Sequence, residues 1–123
     1  MRIPSILVIE DEALVALDLE FTLEEMGWSV AGSLGGVGQA LAWLDREPCP
    51  DAALLDVNLG GETVFPVAKA LAARRIPFAF ATGYADMVAR SDFSAAPTLI
   101  KPVDRDLLKQ VLDGLLGKPA GAA

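Results

Sequence analysis

Five short apolar runs recur along the chain, and each is followed by a stretch of different rhythm. Ser5–Ile9 (SILVI), Trp28–Ser33 (WSVAGS), Ala52–Leu55 (AALL), Phe78–Thr82 (FAFAT) and Thr98–Ile100 (TLI) are too short for helices and read as strands. Between them apolar residues return at helical spacing. Asp11 is placed to cap a first helix with an apolar face of Leu14, Leu17 and Phe21, closed by Gly27. Val37, Ala40, Leu41 and Leu44 mark a second helix, stopped by Pro48-Cys49-Pro50. Thr63 is placed to cap a third. Pro66 lies in its first turn, where a missing N–H costs little, and Val67, Ala68 and Leu71 face the core. The stretch from Gly83 to Pro97 has weak periodicity and predicts only a short fourth helix. Asp104 caps the last, which carries Leu107, Leu108, Val111, Leu112 and Leu115 and ends at Gly117. The tail at 119–123 is expected to fray.

Strands that are apolar throughout and alternate with helices predict a parallel sheet covered on both faces. Right-handed crossovers at this length give an α/β, doubly wound (βα)5, flavodoxin-like domain with strand order 2-1-3-4-5. A single domain is expected over 1–118, with no repeat, linker or output domain.

Composition narrows the function. With 123 residues, 53% of them hydrophobic, the chain suits one folded domain rather than a disordered segment. Cys49 is the sole cysteine, so no intrachain disulfide can form. The N-terminal apolar run is short, holds Pro4 and meets three acids at Glu10 to Glu12, a poor signal peptide. No stretch approaches the ~20 apolar residues of a membrane span. A soluble, cytoplasmic protein is expected. The net charge of −7 argues against a nucleic-acid surface, which needs clustered Lys and Arg. There is no histidine, which excludes His general bases, His metal ligands and Ser-His or Cys-His nucleophile systems.

Seven of the seventeen acids lie between Glu10 and Glu25, where there is no Lys or Arg. A solvated helix face accounts for Asp18, Glu20, Glu24 and Glu25, but less well for the contiguous Glu10-Asp11-Glu12. In doubly wound sheets ligands bind beyond the carboxyl ends of the strands. Glu10 and Asp11 follow the first strand, Asp56 the third, Thr82-Gly83 close the fourth, and Lys101-Pro102 follow the fifth. Each has an ordinary reading: a cap for Asp11, an Asx-turn for Asp56, a strand-end hydroxyl for Thr82, a solvated ammonium for Lys101. Together these readings leave several unneutralised acids on one edge. Two carboxylates ~5 Å apart repel by roughly 3 kcal/mol at an effective dielectric near 20. Lys101 offsets one, and a divalent cation offsets the rest. Oxygen-only ligands point to magnesium before calcium or manganese, with spare valences for water and phosphate oxygens. The glycines of AGSLGGVGQA match neither GxGxxG nor GxxxxGK and read as loop flexibility.

Glu10-Asp11, Asp56, Thr82 and Lys101-Pro102, in this order at these strand ends, resemble the receiver domain of two-component response regulators over about Ser5 to Leu116. FATGY, Phe80 to Tyr84, resembles a stand-alone receiver subgroup named for that string. The resemblance implies that Asp56 takes a phosphoryl group from the phosphohistidine of a sensor histidine kinase. It also implies that Glu10, Asp11, Asp56 and the backbone carbonyl of Asn58 hold Mg2+, with Mn2+ a substitute. Lys101 and Thr82 would stabilise the phosphoryl oxygens. The chain would then be a phosphoacceptor rather than an enzyme, working through a downstream protein partner or a phosphotransfer protein, as a monomer or weak dimer.

One departure bears on signalling. Receivers usually carry an aromatic residue three positions before the lysine, where this chain has Thr98. Tyr84 is the expected substitute, giving a switch made of Thr82 and Tyr84 and centred on the Thr82 to Pro97 segment, with a short or mobile fourth helix. Resemblance alone places the partner surface at Tyr84, Asp86, Arg105 and Lys109. Two rivals remain: a receiver-like adaptor that binds without being phosphorylated, and, remotely, a haloacid-dehalogenase-like phosphatase. In the latter the second acid needed as proton donor is replaced by Asn58.

Overall fold

A computed structural model of the chain describes residues 2–117, so the expected fraying at 119–123 lies outside the described residues. The elements are β1 (Ser5–Ile9), α1 (Ala13–Glu25), β2 (Ser29–Leu34), α2 (Val37–Arg46), β3 (Ala52–Leu55), β4 (Asn58–Leu59), β5 (Glu62–Thr63), α3 (Phe65–Ala73), β6 (Phe78–Thr82), α4 (Ala85–Ala89), β7 (Thr98–Ile100) and α5 (Arg105–Leu115). Five strands form one parallel sheet in the order β2-β1-β3-β6-β7. With the small β4–β5 hairpin set aside, this is the predicted 2-1-3-4-5 topology.

Side-chain alternation along the strands builds two cores. Leu7 and Ile9 of β1 join Val37, Ala40 and Leu44 of α2 and Val67, Ala68 and Leu71 of α3 on one face. Ile6 and Val8 join Leu19 and Leu23 of α1 and Leu108 and Leu112 of α5 on the other. Every residue of β3 is buried, as a central strand covered on both faces requires.

Four local expectations change. Helix α1 buries Ala16, Leu19, Thr22 and Leu23, leaving Leu14, Leu17 and Phe21 exposed at 82%, 61% and 61%. This helix is apolar on two opposite faces, and its spacing alone cannot say which one meets the sheet. Asp11 does not cap it: Glu12 stands at the cap position and makes no side-chain cap bond. Thr63 likewise is not the cap of α3. It pairs with Asn58 in the β4–β5 hairpin, and Val64 takes the cap position, with Pro66 in the first turn as expected. The hairpin turns on Gly60 and Gly61, both at positive φ, the conformation that two-residue hairpin loops favour. Finally, Gly32 lies in β2, as the Trp28–Ser33 run predicts, and does not serve loop flexibility: a Cβ there would meet the Trp43 indole nitrogen at 2.9 Å. Its role is to leave room for Trp43.

The short α4 and the Asp104 cap of α5 are as expected. The Asp104 carboxylate accepts a hydrogen bond from the Leu107 amide at 2.9 Å. Among the described residues no helix is long and apolar enough to cross a membrane.

Candidate functional site

Three residues of the site are each the first beyond a strand, and the sheet still holds their backbones. The Glu10 amide donates to the Leu34 carbonyl at 2.9 Å, the Asp56 amide to Ile9 at 2.9 Å, and the Lys101 amide to Thr82 at 3.1 Å. Ladder bonds of this kind fix the backbone at the carboxyl edge, so the side chains project from a rigid base.

Asp56 is 7% exposed. Its Oδ1 accepts from the Val57 amide at 2.7 Å, and its Oδ2 accepts from Lys101 Nζ at 2.9 Å. Lys101 Nζ also donates to Glu10 Oε1. Glu10 Oε2 in turn accepts from the Glu12 amide at 3.1 Å, which fixes both carboxylate oxygens. One ammonium therefore bridges two buried carboxylates. Burial pushes the Glu10 carboxyl above its ordinary range. Hydrogen bonds from Lys101 and Glu12 pull it back, and the Asp56 charge pushes it up further. For Lys101, burial acts to lower the pKa, but the bonds to Glu10 and Asp56 outweigh it and the ammonium is held above its usual value.

Asp11 is exposed, and its Oδ2 accepts from the Gly60 amide at 3.1 Å, joining the first loop to the β4–β5 hairpin. Carboxylate oxygens of Glu10, Asp11 and Asp56 lie within 4.8 Å of one another. Three acids and one ammonium leave an excess of negative charge, and every donor is a hard oxygen. The set fits a magnesium-sized cation better than a softer one.

Thr82 is fully buried, and its Oγ1 accepts from the Tyr84 amide at 3.0 Å. Tyr84 is half-exposed across the mouth of the site, its hydroxyl 3.5 Å from Asn58 Nδ2. Asn58 Oδ1 accepts from the Gly61 amide at 3.0 Å, which sets the direction of its amide group. The predicted residues Glu10, Asp11, Asp56, Asn58, Thr82, Tyr84 and Lys101 thus assemble at one edge. The predicted partner surface does not assemble in the same way. Asp86 is exposed on α4 near Tyr84, whereas Arg105 pairs with Glu25 of α1 at 3.0 Å. Lys109 pairs with Asp113 and lies 6.0 Å from the Trp28 ring. Arg105 is thus committed to α1, and Lys109 to its own helix α5.

Sequence reasoning missed two features. The amides of Val57 and Gly60 contribute to the site, a role that no side-chain pattern reveals. Phe93, in the stretch of weak periodicity, stacks on Phe65 at 5.9 Å and meets Phe78 edge-on at 5.8 Å. It pins the segment after α4 to the core.

The site is thus a buried carboxylate just beyond the central strand, bridged by lysine to a second acid; comparison with known proteins bears on the family. The response regulator receiver domain model matches residues 6–113. The chain belongs to this family. It is 34% identical over 101 residues to the transcriptional regulatory protein PdtaR of Mycobacterium tuberculosis, a match covering 79% of this chain. The chain spans about half the length of that curated relative, 49%. Among solved structures, SdrG of Sphingomonas melonis Fr1 is 46% identical with a TM-score of 0.81, covering 94% of this chain and 99% of that one. The BeF3-activated conformation of SdrG, from Pseudomonas melonis Fr1, is 46% identical over the same shares with a TM-score of 0.76. As a receiver domain, the chain is a module of two-component signalling.

Proposed function

We propose that this receiver domain accepts a phosphoryl group on Asp56 from the phosphohistidine of a histidine kinase. It then signals in the cytoplasm through a protein partner or a phosphotransfer protein. The observation that carries this reading is the grip on Asp56: a nearly buried carboxylate at the end of a rigid strand, bonded to Lys101 and clustered with Glu10 and Asp11. Glu10, Asp11, Asp56 and the Asn58 carbonyl would hold Mg2+, which when bound supplies charge neutralisation for the incoming phosphoryl oxygens.

In the transfer, an Asp56 carboxylate oxygen forms a bond to phosphorus as the bond from phosphorus to the histidine nitrogen breaks. The electron pair returns to the imidazole, leaving an acyl phosphate. The contributions of this chain are positioning and charge. The Val57 amide and Lys101 hold the nucleophile still. Lys101 then meets the charge that arrives on phosphorus. The Thr82 hydroxyl, which here accepts from the Tyr84 amide, has its proton to donate to a phosphoryl oxygen. A shift of Thr82 toward that oxygen would carry Tyr84 and the following segment with it, which makes Thr82 and Tyr84 the switch. On this reading the chain is a phosphoacceptor, not an enzyme turning over an external substrate, and FATGY marks its subgroup.

The same Lys101 bridge also neutralises part of the site without phosphate, which favours the adaptor as the second reading. Amide spectra recorded with Mg2+ and beryllofluoride, a phosphoryl mimic, separate the two. The phosphoacceptor reading expects shifts at Glu10–Glu12, Asp56–Gly61 and across Thr82–Pro97 that vanish in Asp56→Ala. Unchanged spectra in the wild type would favour the adaptor.

A further inference from the structure

Asp11 is held differently from the other two acids of the site. Glu10 and Asp56 are buried, and each has both carboxylate oxygens bonded. Asp11 is exposed, and among the described residues it forms no ion pair. What holds its carboxylate is the Gly60 amide, 3.1 Å from Oδ2 and 49 residues away along the chain.

That amide comes from the turn of the β4–β5 hairpin, whose backbone is shaped to present it. Gly60 and Gly61 stand in succession at φ +62° and +94°, a conformation that L side chains rarely adopt. A Cβ at either position would meet nothing within 4 Å, so the two glycines serve the backbone path and not close packing. The hairpin is also anchored. Leu59 is buried, the Val64 amide donates to the Val57 carbonyl at 2.8 Å, and the Gly61 amide donates to Asn58 Oδ1 at 3.0 Å.

We propose that the β4–β5 hairpin is a positioning element for the cation site, in which the Gly60 amide orients Asp11 and thereby favours Mg2+ over Ca2+. A charge-assisted bond to Oδ2 fixes the direction of a carboxylate that solvent would otherwise leave free to rotate. Mg2+ demands short, near-octahedral oxygen contacts, whereas Ca2+ accepts longer and looser ones. A rotating Asp11 therefore serves Ca2+ better than it serves Mg2+. Groups that orient a metal ligand are typically worth about 10–100-fold in affinity. Because β4 also carries the Asn58 carbonyl, one small hairpin delivers one ligand and sets the direction of another. This rests on the cation site proposed above but not on phosphoryl transfer, and it is read from metal binding alone.

The test is a titration of the isotope-labelled chain with Mg2+ and, separately, with Ca2+, followed by the amide shifts of Glu10–Glu12, Asp56 and Gly60. Gly60→Asn keeps the N–H and tolerates positive φ, whereas Gly60→Val keeps the N–H but disfavours that φ. Asn58→Ala removes the brace on the turn and keeps the backbone carbonyl. Mg2+ affinity should fall by about tenfold or more in Gly60→Val, fall less in Asn58→Ala, and stay near wild type in Gly60→Asn. Ca2+ affinity should fall less than Mg2+ affinity in both weakened variants, so the preference for Mg2+ narrows. A general loss of structure would lower both affinities alike, and circular dichroism shows whether each variant is folded. Wild-type Mg2+ affinity in Gly60→Val and Asn58→Ala, an equal loss in Gly60→Asn and Gly60→Val, or equal losses for the two ions overturns the proposal and leaves the cation site standing. Absence of any Mg2+ response at Glu10–Glu12 in wild type overturns the cation site, and the proposal with it.

Discussion

Glu10 is nearly buried, shares one ammonium with Asp56, and is pushed toward its neutral form first by burial. Without a cation its charge is a liability to the fold, and with one it becomes a ligand. Glu10→Gln separates these roles. The metal-free protein should gain on the order of 1 kcal/mol of stability, because Lys101 still pairs with Asp56 while one repulsion is gone. Melting temperatures with and without Mg2+ check this, and the rise given by Mg2+ should shrink in the variant. Lys101→Ala runs the other way, since removing the bridge strands two buried acids. A loss of about 3 kcal/mol is expected, read from urea unfolding. At this scale the site was legible. Strand-ending acids, a threonine and a lysine stand out against apolar runs, and strand order brings their ends together. The Asn58–Tyr84 contact was not legible, because it depends on a turn at Gly60-Gly61 that directs the Asn58 side chain.

Helices carry the ambiguities. The period of α2 and α5 picks out the buried face, with Val37, Ala40 and Leu44 in one and Leu108 and Leu112 in the other. In α1 the period offers two apolar faces, and the strongest-looking one, Leu14-Leu17-Phe21, is the exposed one. Packing decides: small Ala16 and Thr22 let the helix sit close to the sheet while Leu19 and Leu23 fill the core. Leu23→Ala should therefore cost about 3 kcal/mol in urea unfolding, whereas Leu17→Ala should stay within about 0.5 kcal/mol. Equal costs would mean that α1 is turned about its axis relative to this description. The β4–β5 hairpin escaped prediction for a different reason: strands of two residues are too short to show alternation.

The whole molecule is a parallel sheet with its chemistry on one edge and a structural clamp at the other. Strand order follows from five apolar runs spaced for right-handed crossovers, so topology was the most legible level of all, whereas the register shift between Ile6 and Leu7 against β2 was not legible. At the opposite end from the site, Asp51 bonds the Ser5 amide at 2.8 Å and pairs with Arg2, tying the starts of β1 and β3. Burial acts to raise the Asp51 pKa, but the Ser5 amide and Arg2 outweigh it and hold the carboxyl below its usual range. A carboxyl depressed in the folded state contributes stability that is present above its unfolded pKa of about 4 and is lost as pH falls through the folded value. Asp51→Asn should therefore be less stable than wild type at neutral pH, and the gap between their urea midpoints should close in acid.

The central claim is that Asp56 is a metal-dependent phosphoacceptor. Its most direct test is the intact mass of wild type and Asp56→Ala after incubation with acetyl phosphate and Mg2+, each with and without a chelator. The account predicts one added phosphoryl group in wild type with Mg2+, and none in Asp56→Ala or in chelator. A phosphoryl gain that survives in Asp56→Ala, or one indifferent to the chelator, would contradict it.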